Sequence, residues 1–151
     1  RKEALKRFEK QGFPSKKDES WKYTSLKSTI QKNYSLSSKP DESVELRDVK
    51  EYFLNDLDSY KIVFIDGVFS PFLSKTTHDG MDICVLSAAL SKEKYNKTIS
   101  KYFNKIVPKE ESLASLNTSY TKEGAYIYIP SGVCPEDPVQ IMHISTGKQE
   151  S

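Results

Sequence analysis

The sequence has only two cysteines, and it has no long apolar run. Cys84 and Cys134 lie 50 residues apart without a CxxC partner, so they form neither a disulfide framework nor a zinc-binding pattern. Isolated cysteines are typical of a reducing compartment. No apolar stretch approaches the ~20 residues that span a bilayer, and the charged amino terminus lacks the apolar stretch of a signal peptide. We therefore expect a cytoplasmic protein that is not bound to a membrane.

An excess of charge of one sign is lacking too. The chain mixes 23 basic with 21 acidic residues, for a formal net charge of +2. Such a balance gives no strong field toward nucleic acid or an anionic membrane, so neither is an expected partner. The first 35 residues are an exception, with ten basic against four acidic side chains. A solvated helix face explains this local excess better than a nucleic-acid site does.

Catalytic and metal-binding motifs are absent as well. The sequence has no nucleophile elbow, no phosphate-binding glycine loop and no metal-ligand spacing. We expect Cys134 in an exposed turn, Cys84 buried in a strand, His78 in a turn and His143 packed in a strand. An iron centre needs several converging soft ligands, which four such scattered residues do not predict. The prediction is a chain that is not an enzyme and has no metal site.

The composition nevertheless indicates a folded domain. The chain has 151 residues, of which 36% are hydrophobic and 29% charged, and it contains nine tyrosines and seven phenylalanines. A chain of this length buries about 68–70% of its extended surface, which is enough for a core. One folded unit of modest core size is the default expectation.

The first 26 residues predict one helix and a candidate docking surface. Apolar residues recur at helical spacing up to Phe8, and Gly12 with Pro14 predicts a helix end near Gln11. Residues 16–20 predict a short helical turn, after which aromatic side chains are expected to fold back onto the first helix. The alternative is a docking surface, because Trp and Tyr are common at binding hot spots and lysines suit a polar rim. Its candidate residues are Lys16, Lys17, Trp21, Lys22 and Tyr23.

Strands are predicted in the middle of the chain and near its end. Asp48 and Glu51 predict a capping box for a helix over residues 49–56. Residues 60–65 and 68–72 flank Asp66 and Gly67 and predict a hairpin whose second strand is short or at an edge, because it contains Pro71. Further strands are predicted at residues 81–86, 125–129 and 139–145, with helices at 95–106 and 110–120.

The final residues, TGKQES, contain no apolar side chain that could close a sheet, so the last strand is expected to expose an edge. That edge suggests a chain cut from something longer.

Three segments, in this order and spacing, resemble the amino-terminal part of the SufD family. They are GFPSKKDESWKYTSL (residues 12–26), YKIVFIDGVFSPFLS (60–74) and LNTSYTKEGAYIYIPSGVCPEDPVQIMHIS (116–145). The resemblance spans essentially the whole chain, and three motifs in register are much more specific than any single one.

The resemblance implies a non-enzymatic subunit of the Suf iron–sulfur cluster assembly machinery, with a SufB-like paralogue and a SufC-like ATPase as partners. It implies an α+β fold in which a helical amino-terminal domain with a β-hairpin leads into a right-handed β-helix. The expected divisions are residues 1–57 (helical domain), 58–120 (hairpin, strand and connecting helices) and 121–151 (first β-helix strands). A cluster would then belong only to the full complex, and no cofactor site falls within these residues.

A different class of function also fits the sequence. The chain could be a stand-alone protein-binding module that accepts a partner strand at the edge formed by residues 68–72, with no role in cluster assembly.

Overall fold

The computed structural model describes residues 1–31, 39–54, 57–77, 80–108 and 110–147. Helices and strands both occur, so the predicted α+β class is confirmed. In chain order the elements are α1 (Lys2–Gln11), α2 (Lys27–Ile30), α3 (Leu46–Val49), β1 (Tyr60–Ile65), β2 (Val68–Phe69), β3 (Asp82–Val85), α4 (Leu86–Ser91), α5 (Glu93–Tyr102), α6 (Ser112–Tyr120), β4 (Ala125–Tyr128) and β5 (Val139–Ile144). Within the described ranges, no helix has the length and apolar character that crossing a membrane requires.

The chain divides into two compact units, each assembled from separate segments. The first contains Arg1–Tyr34 and Lys97–Thr121, and the second contains Ser35–Asn96 and Lys122–Ser151. We call them the helical unit and the sheet unit. The sequence-based division into 1–57, 58–120 and 121–151 differs because it cut the chain consecutively, whereas α6 packs with α1 and β5 pairs with β1 across long separations.

Strand β1 is the centre of the sheet unit. It pairs antiparallel with β2 and parallel with β5, which gives the order β2-β1-β5. Its apolar run is buried on both faces: Val63 and Ile65 pack with Val49 and Phe53. A strand that is covered on both sides reads as a continuous apolar run instead of an alternating one, as residues 62–65 do.

The opposite face of β1 packs against a second sheet. Ile62 and Phe64 share a core cluster with Met81 and Ile83, and β3 pairs antiparallel with β4. Residues 125–129 and 139–145 were predicted to begin one β-helix together, but they lie in different sheets. Tertiary pairing separates them, because β4 finds its partner in β3 and β5 finds its partner in β1.

The hairpin between β1 and β2 is confirmed. Asp66 and Gly67 both have positive φ, at 48° and 83°, as a two-residue turn of the type favoured in hairpins requires. Strand β2 stops after two residues, before Pro71, and lies at the edge as predicted. Ser74 then takes over part of the pairing: its Oγ accepts a hydrogen bond from the Val63 N–H at 3.0 Å.

The helix after residue 45 starts earlier than predicted. Helix α3 covers Leu46–Val49, and a 3₁₀ turn over Lys50–Tyr52 follows it. Asp48 is a residue inside the first turn, where its carboxylate accepts the Glu45 N–H at 2.9 Å. The predicted capping box with Glu51 is therefore wrong by three residues. The predicted continuation of the helix toward residue 56 is also wrong, because Phe53 is already extended.

Helices α1, α5 and α6 contribute the buried positions of the helical unit. Ala4 of α1, Ile99 of α5 and Ser115 of α6 are all buried. Helix α1 ends at Gln11 as predicted, where Gly12 has a φ of 72° and donates its N–H to the Phe8 carbonyl. Helix α5 ends at Tyr102, well before Pro108, because Asn104 adopts a positive φ of 63°. The predicted helix to residue 106 is wrong in its last turn.

Candidate functional site

The segment that contains the predicted docking residues begins with a tight turn anchored by Asp18. The Ser15 N–H donates to the Asp18 carboxylate at 2.7 Å, and the Ser15 hydroxyl donates to it at 3.2 Å. These hydrogen bonds, first the one from the Ser15 N–H, lower the pKa of Asp18. The turn holds Lys16 and Lys17 exposed, and a 3₁₀ turn over Glu19–Trp21 follows it.

The two aromatic residues of the predicted docking surface occupy different environments. Tyr23 is 91% exposed, so the prediction that it folds back onto the first helix is wrong. The exposed Lys22 places its Nζ 5.7 Å from the centroid of the Tyr23 ring. Trp21 is half-buried and lines a groove. The structure therefore brings Lys22 and Tyr23 together at the surface, whereas Trp21 forms part of the groove wall.

A groove of about 470 Å³ lies within the helical unit. Its walls come from the segment after α1, from the 3₁₀ turn and from the first turn of α6. Two aromatic rings and four carboxylates line it, and none of the described residues contributes a basic side chain to it. These residues are Phe13, Trp21, Asp18, Glu19, Glu110 and Glu111. Sequence reasoning singled out Trp21 but missed Glu110 and Glu111, because no local pattern connects positions about 90 residues apart.

The groove has the chemistry of a binding surface. Hydroxyl groups are present at Ser20 and Ser112, but within the part of the chain that the structure describes no histidine lines the groove as a base for them. The Ser112 hydroxyl is engaged as a donor to the Gly12 carbonyl, a contact that joins the start of α6 to the end of α1. Aromatic rings beside carboxylates are an arrangement that can contact a chain segment or side chain.

The two cysteines differ in exposure. Cys134 is exposed, as predicted. Cys84, predicted to be buried, is only partly buried on β3, where it lies opposite Tyr126 of β4. Burial raises the pKa of the Cys84 thiol, which disfavours its reactive thiolate form. Among the described residues, no three His, Cys, Asp or Glu side chains converge as metal ligands would.

The packing predicted for His143 is only partly confirmed, because the residue is exposed on β5 and its ring packs on one neighbour. Its ring stacks on that of Phe64, with centroids 5.0 Å apart and planes 11° from parallel. It lies on β5 directly opposite Phe64 of β1 in the parallel register. The turn predicted for His78 lies outside the described residues.

A second group of titratable side chains surrounds Tyr95 in the sheet unit. Lys94 donates to the Asp82 carboxylate at 2.8 Å, and its Nζ lies 5.0 Å from the Tyr95 ring centroid. The Tyr95 and Tyr126 rings are 4.9 Å apart. The Lys94 hydrogen bond lowers the pKa of Asp82, whereas burial raises the pKa values of both tyrosines. The hydrogen bond and the ring contact hold the first turn of α5 against β3 and β4 within the sheet unit.

Comparison with known proteins points to one family. Residues 1–141 match the family described as SufBD protein N-terminal region. An iron–sulfur cluster assembly SufBD family protein of Synechocystis is 23% identical over 88% of this chain. The iron–sulfur cluster assembly protein SufD of Escherichia coli is 27% identical over 95% of this chain. The chain spans 29% and 30% of the lengths of these two relatives.

Proposed function

Because this chain belongs to the family of SufBD N-terminal regions, we propose that it is the amino-terminal region of a SufD-like subunit in iron–sulfur cluster assembly. The single observation that carries this proposal is the family match over residues 1–141. Both relatives carry iron–sulfur cluster assembly in their names, and similarity to each extends over most of this chain.

The proposed role is that of a scaffold without chemistry of its own. Its partners are a SufB-like paralogue and a SufC-like ATPase in the cytoplasm, and the ATPase supplies the nucleotide hydrolysis. A groove lined by two aromatic rings and four carboxylates supports a role through protein contacts. In this proposal the 151 residues bind no cofactor, and a cluster is assembled only on the full complex.

A β-helix built on β5 belongs to the same proposal. Strands β1 and β5 pair in parallel and in register over six residue pairs, which is the arrangement of neighbouring rungs in a solenoid of parallel strands. In the sheet order β2-β1-β5, β5 is an edge strand within the described residues. Its outer edge is where a further parallel strand would pair. Strand β4 has no place in that stack, because it pairs antiparallel with β3.

The alternative of a partner strand at residues 68–72 has less support. Strand β2 has two residues, and Phe72 is 91% exposed beyond its end. Past β2, the Ser70 N–H donates to the Val63 carbonyl at 2.8 Å, and Lys61 and Lys75 exchange hydrogen bonds of 2.9 and 2.8 Å. Two residues offer too few main-chain hydrogen bonds for strand addition.

The test of the proposed function is affinity purification of the full-length protein under anaerobic conditions, followed by mass spectrometry. We expect a SufB-like and a SufC-like protein at comparable amounts. Iron, acid-labile sulfide and ATP hydrolysis are measured on the isolated 151-residue chain, where we expect none. Stoichiometric iron and sulfide on that chain, or the absence of both partners from the purified complex, would contradict the proposal.

A further inference from the structure

The two units carry opposite charge, which the balanced total conceals. In the helical unit, residues 1–34 and 97–121 include 14 basic and 6 acidic side chains, a difference of +8. In the sheet unit, the remaining residues include 9 basic and 15 acidic side chains, a difference of −6. A basic helical unit favours an acidic partner over a basic one.

The helical unit exposes apolar side chains over residues 102–107. Tyr102, Phe103 and Val107 are each about half exposed, and Ile106 is 80% exposed. The exposure of Ile106 follows from the end of α5 at Tyr102: a helix continued past Asn104 would align Ile106 with the buried Ile99, whereas here Ile106 faces solvent. Large apolar side chains that cluster on the surface mark interaction sites.

Lysines surround this apolar segment. Lys97, Lys101 and Lys105 are all exposed, and the sequence contains no acidic residue between positions 94 and 109. The Lys101 Nζ lies 5.0 Å from the Tyr102 ring centroid, so charge and apolar surface are in direct contact. Residues 97–107 thus carry four exposed apolar side chains and three exposed lysines close together along the chain.

From these observations we propose that residues 97–107 dock an acidic protein surface that presents aliphatic side chains. Apolar contact with Phe103 and Ile106 excludes water, and the lysines select and steer an acidic partner. A protein fits better than nucleic acid, because Ile106 and Val107 can neither contact phosphates nor stack on bases. It fits better than a membrane, because the exposed apolar residues mostly follow the end of α5 and form no amphipathic helix. This inference goes beyond the proposed scaffold role and does not depend on a cluster.

The experiment measures binding of a defined acidic probe to the full-length protein. The probe is a fluorescent amphipathic peptide of ~20 residues, long enough for helix formation, with leucine on one face and glutamate on the other. Matched peptides carry lysine or glutamine in place of glutamate. By fluorescence anisotropy, we expect saturable binding of the glutamate peptide that weakens with added salt. The glutamine and lysine peptides should bind progressively more weakly.

Two variants and two matched controls locate the site. The first variant is Ile106→Glu, and the second combines Lys101→Glu with Lys105→Glu. Each should weaken the binding of the glutamate peptide by about tenfold or more. The controls change residues of the sheet unit: one is Phe72→Glu, at a residue that is 91% exposed, and the other combines Lys39→Glu with Lys122→Glu. Each control should alter the binding of the glutamate peptide by less than about twofold. Circular dichroism establishes that each variant is folded before binding is measured.

Several results would overturn the proposal. The first is no saturable binding of the glutamate peptide, and the second is binding of the lysine peptide as tight as that of the glutamate peptide. The third is a loss of affinity in the control variants equal to that in the site variants. Tighter binding of single-stranded RNA or of vesicles with anionic lipids would assign the surface to another class of partner. Concentration-dependent self-association that Ile106→Glu abolishes would assign it to a second copy of the chain.

Discussion

Asp66 and Thr146 join the tip of the hairpin to the end of the parallel strand. The Asp66 carboxylate accepts the Thr146 N–H at 3.0 Å and the Thr146 hydroxyl at 2.6 Å. The Asp66 N–H in turn donates to the Ile144 carbonyl at 2.8 Å. One turn residue therefore sets the backbone of the hairpin, through its positive φ, and also fixes the chain that leaves β5.

Replacing Asp66 should destabilise the sheet unit. Asp66→Ala removes both side-chain acceptors and places alanine at a positive φ, so we expect a loss of about 1–3 kcal/mol in unfolding free energy by urea denaturation. Asp66→Asn is the control, because asparagine tolerates this backbone and keeps one acceptor. Equal losses for alanine and asparagine would contradict a role for the turn geometry.

The core of the sheet unit should depend on Phe64. Phe64 is 2% exposed and contacts both Phe69 and His143, so Phe64→Ala should cost about 3–5 kcal/mol through lost burial and a cavity. The matched control is Phe72→Ala, at 91% exposure, which should change stability by less than about 0.5 kcal/mol. Urea denaturation of both variants checks this, and similar losses would mean that β1 is not the centre of the core.

Trp21 and Tyr23 should respond differently to truncation. Trp21 is half-buried in the wall of the groove, so Trp21→Ala should lower the unfolding free energy by about 1–2 kcal/mol. Tyr23→Ala should leave it within about 0.5 kcal/mol, because the ring is exposed. If Tyr23 belongs to a docking surface, its loss reduces the recovery of partners in affinity purification without lowering stability. A large loss of stability for Tyr23→Ala would instead indicate that the Tyr23 ring packs in the core.

The two thiols should alkylate at different rates. Cys134 is exposed, whereas Cys84 is partly buried and its pKa is raised by that burial. With iodoacetamide at neutral pH, mass spectrometry should show Cys134 modified at least about tenfold faster. Cys134→Ser should leave only the slow reaction, and both thiols should react alike in denaturant. Equal rates in the folded chain would contradict the burial of Cys84.

Because of the Asp82–Lys94 contact, the free energy of unfolding should decrease at acidic pH. Because the pKa of Asp82 is lower in the folded chain than in the unfolded one, its ionised form stabilises the fold above the ordinary aspartate pKa of about 4. That contribution to stability decreases as the pH falls from about 4 toward the lower pKa that Asp82 has in the folded chain, and it is absent below that pKa. Asp82→Asn and Lys94→Met should each flatten the acid side of the stability profile, measured by urea denaturation at several pH values. Profiles parallel to that of the unaltered chain would contradict the contact.

Local sequence patterns predicted the elements that local interactions determine. The hairpin followed from Asp66 and Gly67, the end of α1 from Gly12, and the position of β5 from its run of strand-forming residues. The start of α3 was missed because Glu45, the residue before it, is not a usual helix-capping type. The end of α5 was missed because the left-handed backbone of Asn104 gives no signal as strong as glycine.

What remained hidden depends on contacts between distant positions. The groove joins Trp21 to Glu110 and Glu111, and no periodicity relates these residues. The pairing of β1 with β5, instead of β5 with β4, is likewise a choice among strands that all carry suitable side chains. The opposite charges of the two units could be counted only after the contacts had grouped the segments.

The pairing of Tyr60 with Val139 has a consequence for the order of events at the ribosome. Nearly 80 residues separate these partners, so β1 is made long before β5 exists. At a synthesis rate of about 5–20 residues per second, the interval is about 4–16 s. During that time the most apolar strand of the nascent chain has only its hairpin partner β2 along one edge. Chaperone contact during translation is therefore expected to concentrate on residues 60–65 and to end once β5 emerges.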